Sequence, residues 1–191
     1  MNPGQGELFG DASALPEGFV YRTDFVTGEE EQSLLAGVQR LPLEEARYKE
    51  YTAKRRVASF GFNYDFSSNA LGEASPLPDF LLPLRDHVAA WLEIPAADLK
   101  HALVAEYRAG TPLGWHRDVP DFERVVGVSL GGWARMRLRR YPADKSALLN
   151  LDLAPRSAYL MQGVARWRWQ HSIPATKTLR YSITFCTLRA A

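Results

Sequence analysis

Residues 101–118 read HALVAEYRAGTPLGWHRD, and residues 180–188 read RYSITFCTL. Both stretches alternate with the period of a β-strand. In the first, Leu103, Ala105 and Tyr107 share one face. In the second, Arg180, Ser182, Thr184 and Cys186 share one face, and Tyr181, Ile183 and Phe185 share the other. The apolar face suits a core. The face carrying Arg, Ser and Thr suits a polar cavity. The same period predicts strands at 101–108, 114–118, 125–130, 134–141, 157–161, 165–171 and 180–188. Turn material such as Ala109-Gly110-Thr111-Pro112 and Gly131-Gly132 separates them. Many short strands with regular turns predict a sandwich or barrel.

Outward from this core, two more strands are expected near 53–60 and 62–67. Thr27 and Glu30 form a capping-box signature ahead of Leu34, Leu35, Val38 and Leu41, so a helix is expected over roughly 28–40. A second is expected from Pro78-Asp79 to Pro95, with Pro83 near enough to its start to be tolerated. Helices first and strands afterwards predict an α+β domain over 19–191, with a jelly-roll core over about 100–189. Residues 1–18, rich in Gly, Pro and small side chains, read as a flexible tail.

The chain has 191 residues, 46% of them hydrophobic. That excludes a disordered polypeptide. A single cysteine, Cys186, excludes a disulfide framework or a cysteine-rich zinc site. No apolar run approaches the roughly 20 residues that span a bilayer, and the N-terminus carries no secretory pattern. A cytoplasmic monomer without membrane contact is expected. The net charge of +1 hides an asymmetry. Residues 1–50 hold 4 basic and 10 acidic side chains, net −6, whereas 101–191 hold 14 and 6, net +8. Such asymmetry can mark a polyanion-binding face, although a solvated surface has the same composition.

Four histidines are present: His87, His101, His116 and His171. The first two read as structural. His116 stands two residues before Asp118, so on a strand imidazole and carboxylate would face the same space. Two His and one carboxylate on one face of an octahedron bind Fe(II) and leave open positions. His171 is the strong candidate for the second His, with Trp167 and Trp169 expected on one strand face as a dry wall around the metal. An inward Arg180 needs an anion, and a dicarboxylate cosubstrate would supply one. Tyr107 can reach the same cavity.

These segments resemble the AlkB-like branch of the Fe(II)- and 2-oxoglutarate-dependent dioxygenases. The resemblance runs through Tyr107, Trp115-His116-Arg117-Asp118, Val126-Gly-Val-Ser-Leu-Gly131, Gln170-His171-Ser-Ile-Pro174 and Leu179 to Phe185. The His-x-Asp pair is generic to the larger superfamily, but the order and spacing of the whole set are specific to this branch. The resemblance implies that His116, Asp118 and His171 bind iron, that Arg180 pairs with the distal carboxylate of 2-oxoglutarate, and that Tyr107 hydrogen-bonds to it. Ser182 and Thr184, on Arg180's face, are counted with this cosubstrate site. The implied activity is oxidative dealkylation of N-alkylated bases in DNA or RNA, releasing succinate, CO2 and an aldehyde. Two alternatives stand beside it: a related oxygenase acting on a protein or small molecule, and a catalytically weak module that binds alkylated nucleic acid.

Lys54-Arg55-Arg56 followed by Tyr64 and Phe66 resembles the family's nucleotide-recognition lid, placed at about 45–70. The cations would hold phosphates, and Tyr64, Phe66 and Trp169 would contact the base. Arg135, Arg137 and Arg139 share a strand face and form a second basic candidate. Gln5, Leu8 and Phe9 resemble a peptide that docks on bacterial sliding clamps.

Two positions depart from the family pattern. Ala105 stands where an Asn usually reaches the metal-binding end of the cosubstrate. Cys186 stands where a second Arg usually lies near the iron-ligating Asp. Each change removes a donor at roughly 1–3 kcal/mol per charge-assisted bond, so weaker cosubstrate binding or altered turnover is expected.

Overall fold

A computed structural model describes residues 15–48, 51–65, 70–73, 75–143 and 148–190. At 46–48, 51–53, 63–65, 70–71 and 73 it describes the backbone alone. The strands are β1 (Phe19–Arg22), β2 (Glu44–Tyr48), β3 (Tyr51–Asp65), β4 (Ala70–Glu73), β5 (Leu99–Tyr107), β6 (Leu113–His116), β7 (Phe122–Gly131), β8 (Ala134–Arg140), β9 (Leu149–Leu153), β10 (Ser157–Met161), β11 (Trp169–Ile173) and β12 (Arg180–Leu188). The helices are α1 (Gly28–Val38), α2 (Leu82–Leu92) and α3 (Gly163–Trp167).

The strands form two antiparallel sheets. The larger runs β1-β10-β7-β12-β5-β3-β2, with β4 hydrogen-bonded to β3. The smaller runs β6-β11-β8-β9. Neighbours in sequence are seldom neighbours in the sheet, which is jelly-roll connectivity. Alternation sends side chains from the larger sheet to two separate interiors. On one side Val104, Val126, Val128, Leu130, Ile183 and Phe185 meet Leu34 and Val38 of α1 and Leu84 and Val88 of α2. On the other, Phe19, Val125, Tyr159, Met161 and Cys186 meet Met136, Leu138 and Leu153 of the smaller sheet. The site lies on this second side.

Local chemistry accounts for the elements and their ends. Thr27 accepts from the Glu30 amide while the Glu30 carboxylate accepts from the Thr27 amide, so both halves of the capping box form. α1 ends at Val38 rather than near 40, as the chain tightens toward Pro42. A 3-10 turn at Asp79–Leu81 leads into α2, with Pro83 in its first turn. α2 ends where Glu93 turns left-handed, φ 54°, before Pro95.

Four expectations are corrected. The strands expected at 53–60 and 62–67 are one strand, β3, that changes partner at Gly61. Residues Arg56–Gly61 pair with β5, and Phe62–Asp65 pair with β4. Gly61 has φ 77°, and a Cβ there would strike the Lys100 carbonyl. The strand expected at 165–171 is instead α3 followed by β11. Ala-Arg-Trp-Arg-Trp alternates, but the Arg166 and Arg168 amides close helical turns onto the Gln162 and Val164 carbonyls. Trp167 and Trp169 therefore do not share a strand face. Residues 15–18, expected as flexible tail, are tied down: Glu17 accepts from the Ala165 amide and Gly18 from the Gln162 amide. β6 stops at His116, so Asp118 lies on the following loop. Strands β1, β2, β4 and β9 were not expected from the sequence. Gln5, Leu8, Phe9 and Phe66 lie outside the described residues. Among the described residues no helix is long and apolar enough to cross a membrane.

Candidate metal and cosubstrate site

β6 and β11 place His116 and His171 directly opposite each other in one ladder. Their ring centroids are 4.2 Å apart, at 55°. The His116 Nδ1 lies 2.9 Å from the Gly114 carbonyl. With Nδ1 donating there, Nε2 is left as the free ligand nitrogen. That Nε2 lies 3.9 Å from the Asp118 carboxylate. Ligand atoms of His116, Asp118 and His171 all fall within 4.8 Å of one another. Two imidazoles and one carboxylate form a donor set that fits Fe(II). His171 is buried, whereas His116 and Asp118 are partly exposed, so the cluster opens on one side.

Electrostatics hold His171 and Asp118 in the states a cation requires. Burial drives the His171 pKa down to about 3, and the nearby His116 adds to the effect. His171 is thus neutral at any ordinary pH. Burial alone would raise the Asp118 pKa, but His171, His116, Arg166 and Arg55 outweigh it and hold the carboxyl below its usual range. Asp118 is therefore an anion.

On the same side of the larger sheet, Arg180 is only 1% exposed. Its Nε donates to Ser129 Oγ at 2.9 Å, and its guanidinium carbon lies 5.0 Å from the centre of the Tyr107 ring. One terminal nitrogen of Arg180 has no hydrogen-bond acceptor among the described residues. A buried cation with an unmet donor fits an incoming carboxylate. Ser182 helps hold the Tyr107 hydroxyl below its usual pKa. Thr184 lies on the same face of β12, opposite Gly127 of β7.

Arg55 requires a correction. Expected at a phosphate, it is 8% exposed and donates to the Tyr107 hydroxyl at 3.4 Å. Alternation along β3 explains the difference: Lys54 and Arg56 face one way and Arg55 the other. Lys54 is exposed. Arg56 makes a bidentate ion pair with Glu106, at 2.8 and 2.9 Å, and Arg108 and Tyr181 share the same carboxylate. Burial would raise the Tyr107 pKa, but Arg55 and Arg180 together bring it below the usual phenol value.

Other expected contacts have further partners. Trp167 donates from its indole to Glu123 at 3.2 Å, between the cations of Arg166 and Arg189. Trp169 is partly buried beneath Arg140. Arg135 is held by Asp152 in a bidentate pair, while Arg137 and Arg139 lie over the Trp115 ring. Tyr64 lies on β3, in the half paired with β4.

Three residues of the site escaped the sequence reading. Ser129 orients Arg180, and only the Val-Gly-Val-Ser pattern of β7 pointed there. Tyr159 is buried against Gly127, where a Cβ would strike its ring, and its hydroxyl feels the charges of Asp118 and Arg180. Arg166 is buried beside Asp118, and the strand expected at 165–171 hid it.

Comparison with known proteins agrees with this geometry. A sequence profile of the 2OG-Fe(II) oxygenase superfamily matches residues 19–185. The chain belongs to that superfamily. Among curated relatives, the "Alkylated DNA repair protein ALKBH8 homolog" of Arabidopsis thaliana is 33% identical over 181 residues, covering 81% of this chain and 50% of the relative. The "tRNA (carboxymethyluridine(34)-5-O)-methyltransferase ALKBH8" of Macaca fascicularis is 28% identical over 172 residues, covering 86% of this chain and 25% of the relative. The chain thus spans half the length of the first and a quarter of the second. Among solved structures, "The structure of OsALKBH1" superposes with a TM-score of 0.73 at 18% identity, covering 91% of this chain and 98% of that one. A prolyl hydroxylase from Trichoplax adhaerens superposes with a TM-score of 0.63 at 15% identity, covering 90% and 83%. Membership of this superfamily implies Fe(II) and 2-oxoglutarate as cofactors.

Proposed function

We propose that this oxygenase hydroxylates an alkyl group on a nucleic-acid base, with N-alkylated DNA or RNA as its substrate class. The observation that carries the reading is the pairing of two half-sites on one side of the larger sheet, with Tyr159 feeling the charges of both. His116, Asp118 and His171 would hold Fe(II) at one of them. Arg180, with its unmet donor, and Tyr107 would hold the distal carboxylate of 2-oxoglutarate at the other. Bound iron would supply dioxygen activation coupled to oxidation of 2-oxoglutarate to succinate and CO2.

The residues of this chain bind and orient. Arg180 and Tyr107 fix the cosubstrate's far end, and Ser129 fixes Arg180. Asp118 and neutral His171 present lone pairs without first losing a proton. The partly exposed edge at His116 and Asp118 is where a base would enter. Insertion of one oxygen atom into an N-methyl C–H bond gives an N-hydroxymethyl group. This collapses to formaldehyde and the free N–H, so atoms balance with no further reagent.

A second reading has its own support. Relatives at 26–28% identity carry tRNA uridine modification in their names. In that reading the hydroxylated carbon is bonded to carbon and the product keeps its substituent. One assay separates the readings. Protein with Fe(II), ascorbate and 2-oxoglutarate is given N-methylated DNA and RNA oligonucleotides and, separately, bulk tRNA. Aldehyde with a restored base supports dealkylation. A mass gain of one oxygen on a tRNA nucleoside supports the second reading. Succinate formation stimulated by neither class overturns both.

A further inference from the structure

The metal-ligating carboxylate sits on a loop, and the loop needs a support. Asp118 follows the end of β6 and precedes the start of β7 at Phe122. Strand pairing on β6 and β7 does not extend over residues 117–121. The guanidinium of Arg166, reaching in from α3, bonds two of them and the first residue of β7. One terminal nitrogen donates to the carbonyls of Asp118 at 3.2 Å, Val119, and Phe122 at 2.9 Å. Arg166 is 2% exposed. No described carboxylate pairs with it in a salt bridge, and its Nε has no acceptor. Burying a guanidinium in this way costs several kcal/mol unless its surroundings compensate. The compensation comes from the loop carbonyls and from the negative charge of Asp118, which Arg166 faces. Cys186 lies within the same electrostatic neighbourhood.

We propose that Arg166 is a positioning residue for the metal site, clamping the Asp118 loop from α3. The proposal rests on the metal-site reading above and adds to it a residue from a different element. The geometry also explains why a carboxylate beyond the end of a strand still converges with His116. The loop bends, and Arg166 holds the bend through three carbonyls.

The test is Mn(II) binding to the purified full chain, read by electron paramagnetic resonance without turnover. Wild type should bind one Mn(II). Arg166→Met should weaken binding by roughly 10–100-fold, the range for outer-sphere partners of metal ligands. Arg166→Lys keeps the charge but ends in one ammonium on a shorter stem, which reaches the three carbonyls less well, and should fall between. The double variant Arg166→Met/Cys186→Arg should regain at least about tenfold of the loss, because it returns a guanidinium beside Asp118 from the other side. A residue that only stabilised the fold would give no such recovery. A folded Arg166→Met within twofold of wild type overturns the proposal. If that variant does not fold, Arg166→Lys within twofold of wild type does so. No Mn(II) binding by wild type overturns the metal site itself, and the proposal with it.

Discussion

His116 and His171 occupy one rung of an antiparallel ladder, and their imidazoles lean together with centroids 4.2 Å apart. Adjacent imidazoles repel when both are charged, and burial already opposes a proton on His171. Two imidazoles this close, with burial keeping His171 unprotonated, can share one divalent cation. Replacing either histidine by Ala should abolish Mn(II) binding in the same resonance titration, an effect beyond the roughly 10–100-fold of an outer-sphere change. His87→Ala should leave it unaltered, since that ring stacks on Phe25 at 4.2 Å in a different part of the fold.

Arg180→Met should remove a charge-assisted contact with 2-oxoglutarate of about 1.5–3 kcal/mol, a loss of roughly 10–150-fold in affinity. Tyr107→Phe removes a neutral hydroxyl and should lose about 1 kcal/mol. The charge-transfer absorbance of the anaerobic Fe(II) complex during 2-oxoglutarate titration reads both. Equal affinity in Arg180→Met and wild type would remove the anion-site assignment.

Lys54 and Arg55 are adjacent in sequence and opposite in role. Lys54→Ala should reduce the slope of log K against log salt for oligonucleotide binding by about one. Arg55→Ala should leave that slope alone, because Arg55 is turned inward on Tyr107, and should instead weaken 2-oxoglutarate binding. Fluorescence anisotropy over a salt series distinguishes them.

Burial lowers the pKa of His171 to about 3 and also lowers that of His101, which stacks on Phe122. Unfolded histidines titrate near 6.5. Below that pH the unfolded chain takes up protons that the folded chain refuses. Stability of the metal-free protein is therefore full above about pH 6.5 and declines as pH falls, by roughly 1 kcal/mol per unit for each histidine. Asp118 and Glu106, both held below their usual values, act in the same direction once pH falls through about 4.5. Urea melts between pH 7 and 5 should show the decline, and His101→Phe should make it shallower.

The legible parts of this chain were those with strict period two. Arg180 and Tyr107 fell on the cavity face because β12 and β5 are regular strands with one side buried. Their parity fixes where every side chain points. Arg55 was misplaced because a run of three cations looks uniform, although strand alternation sends its middle member inward. Trp167 was misplaced because Arg-Trp-Arg-Trp alternates like a strand while its backbone closes a helical turn. Asp118 was assigned to the metal for an incomplete reason. Parity predicted convergence with His116, but β6 has already ended there. Arg166 could not be read as its partner, since the contact joins residues 48 apart through backbone carbonyls, which carry no sequence signature.

The bidentate pair between Arg56 and Glu106 lies on the face of the sheet that turns away from the iron ligands. It nevertheless governs them. If β3 slid by one residue against β5, Arg55 and Arg56 would exchange sides, and with them the cavity's cation and the outer ion pair. Glu106 accepts the fork only when Arg56 stands opposite it. The pair is thus an alignment key, cut on the outside of the wall, that decides which arginine the chamber receives.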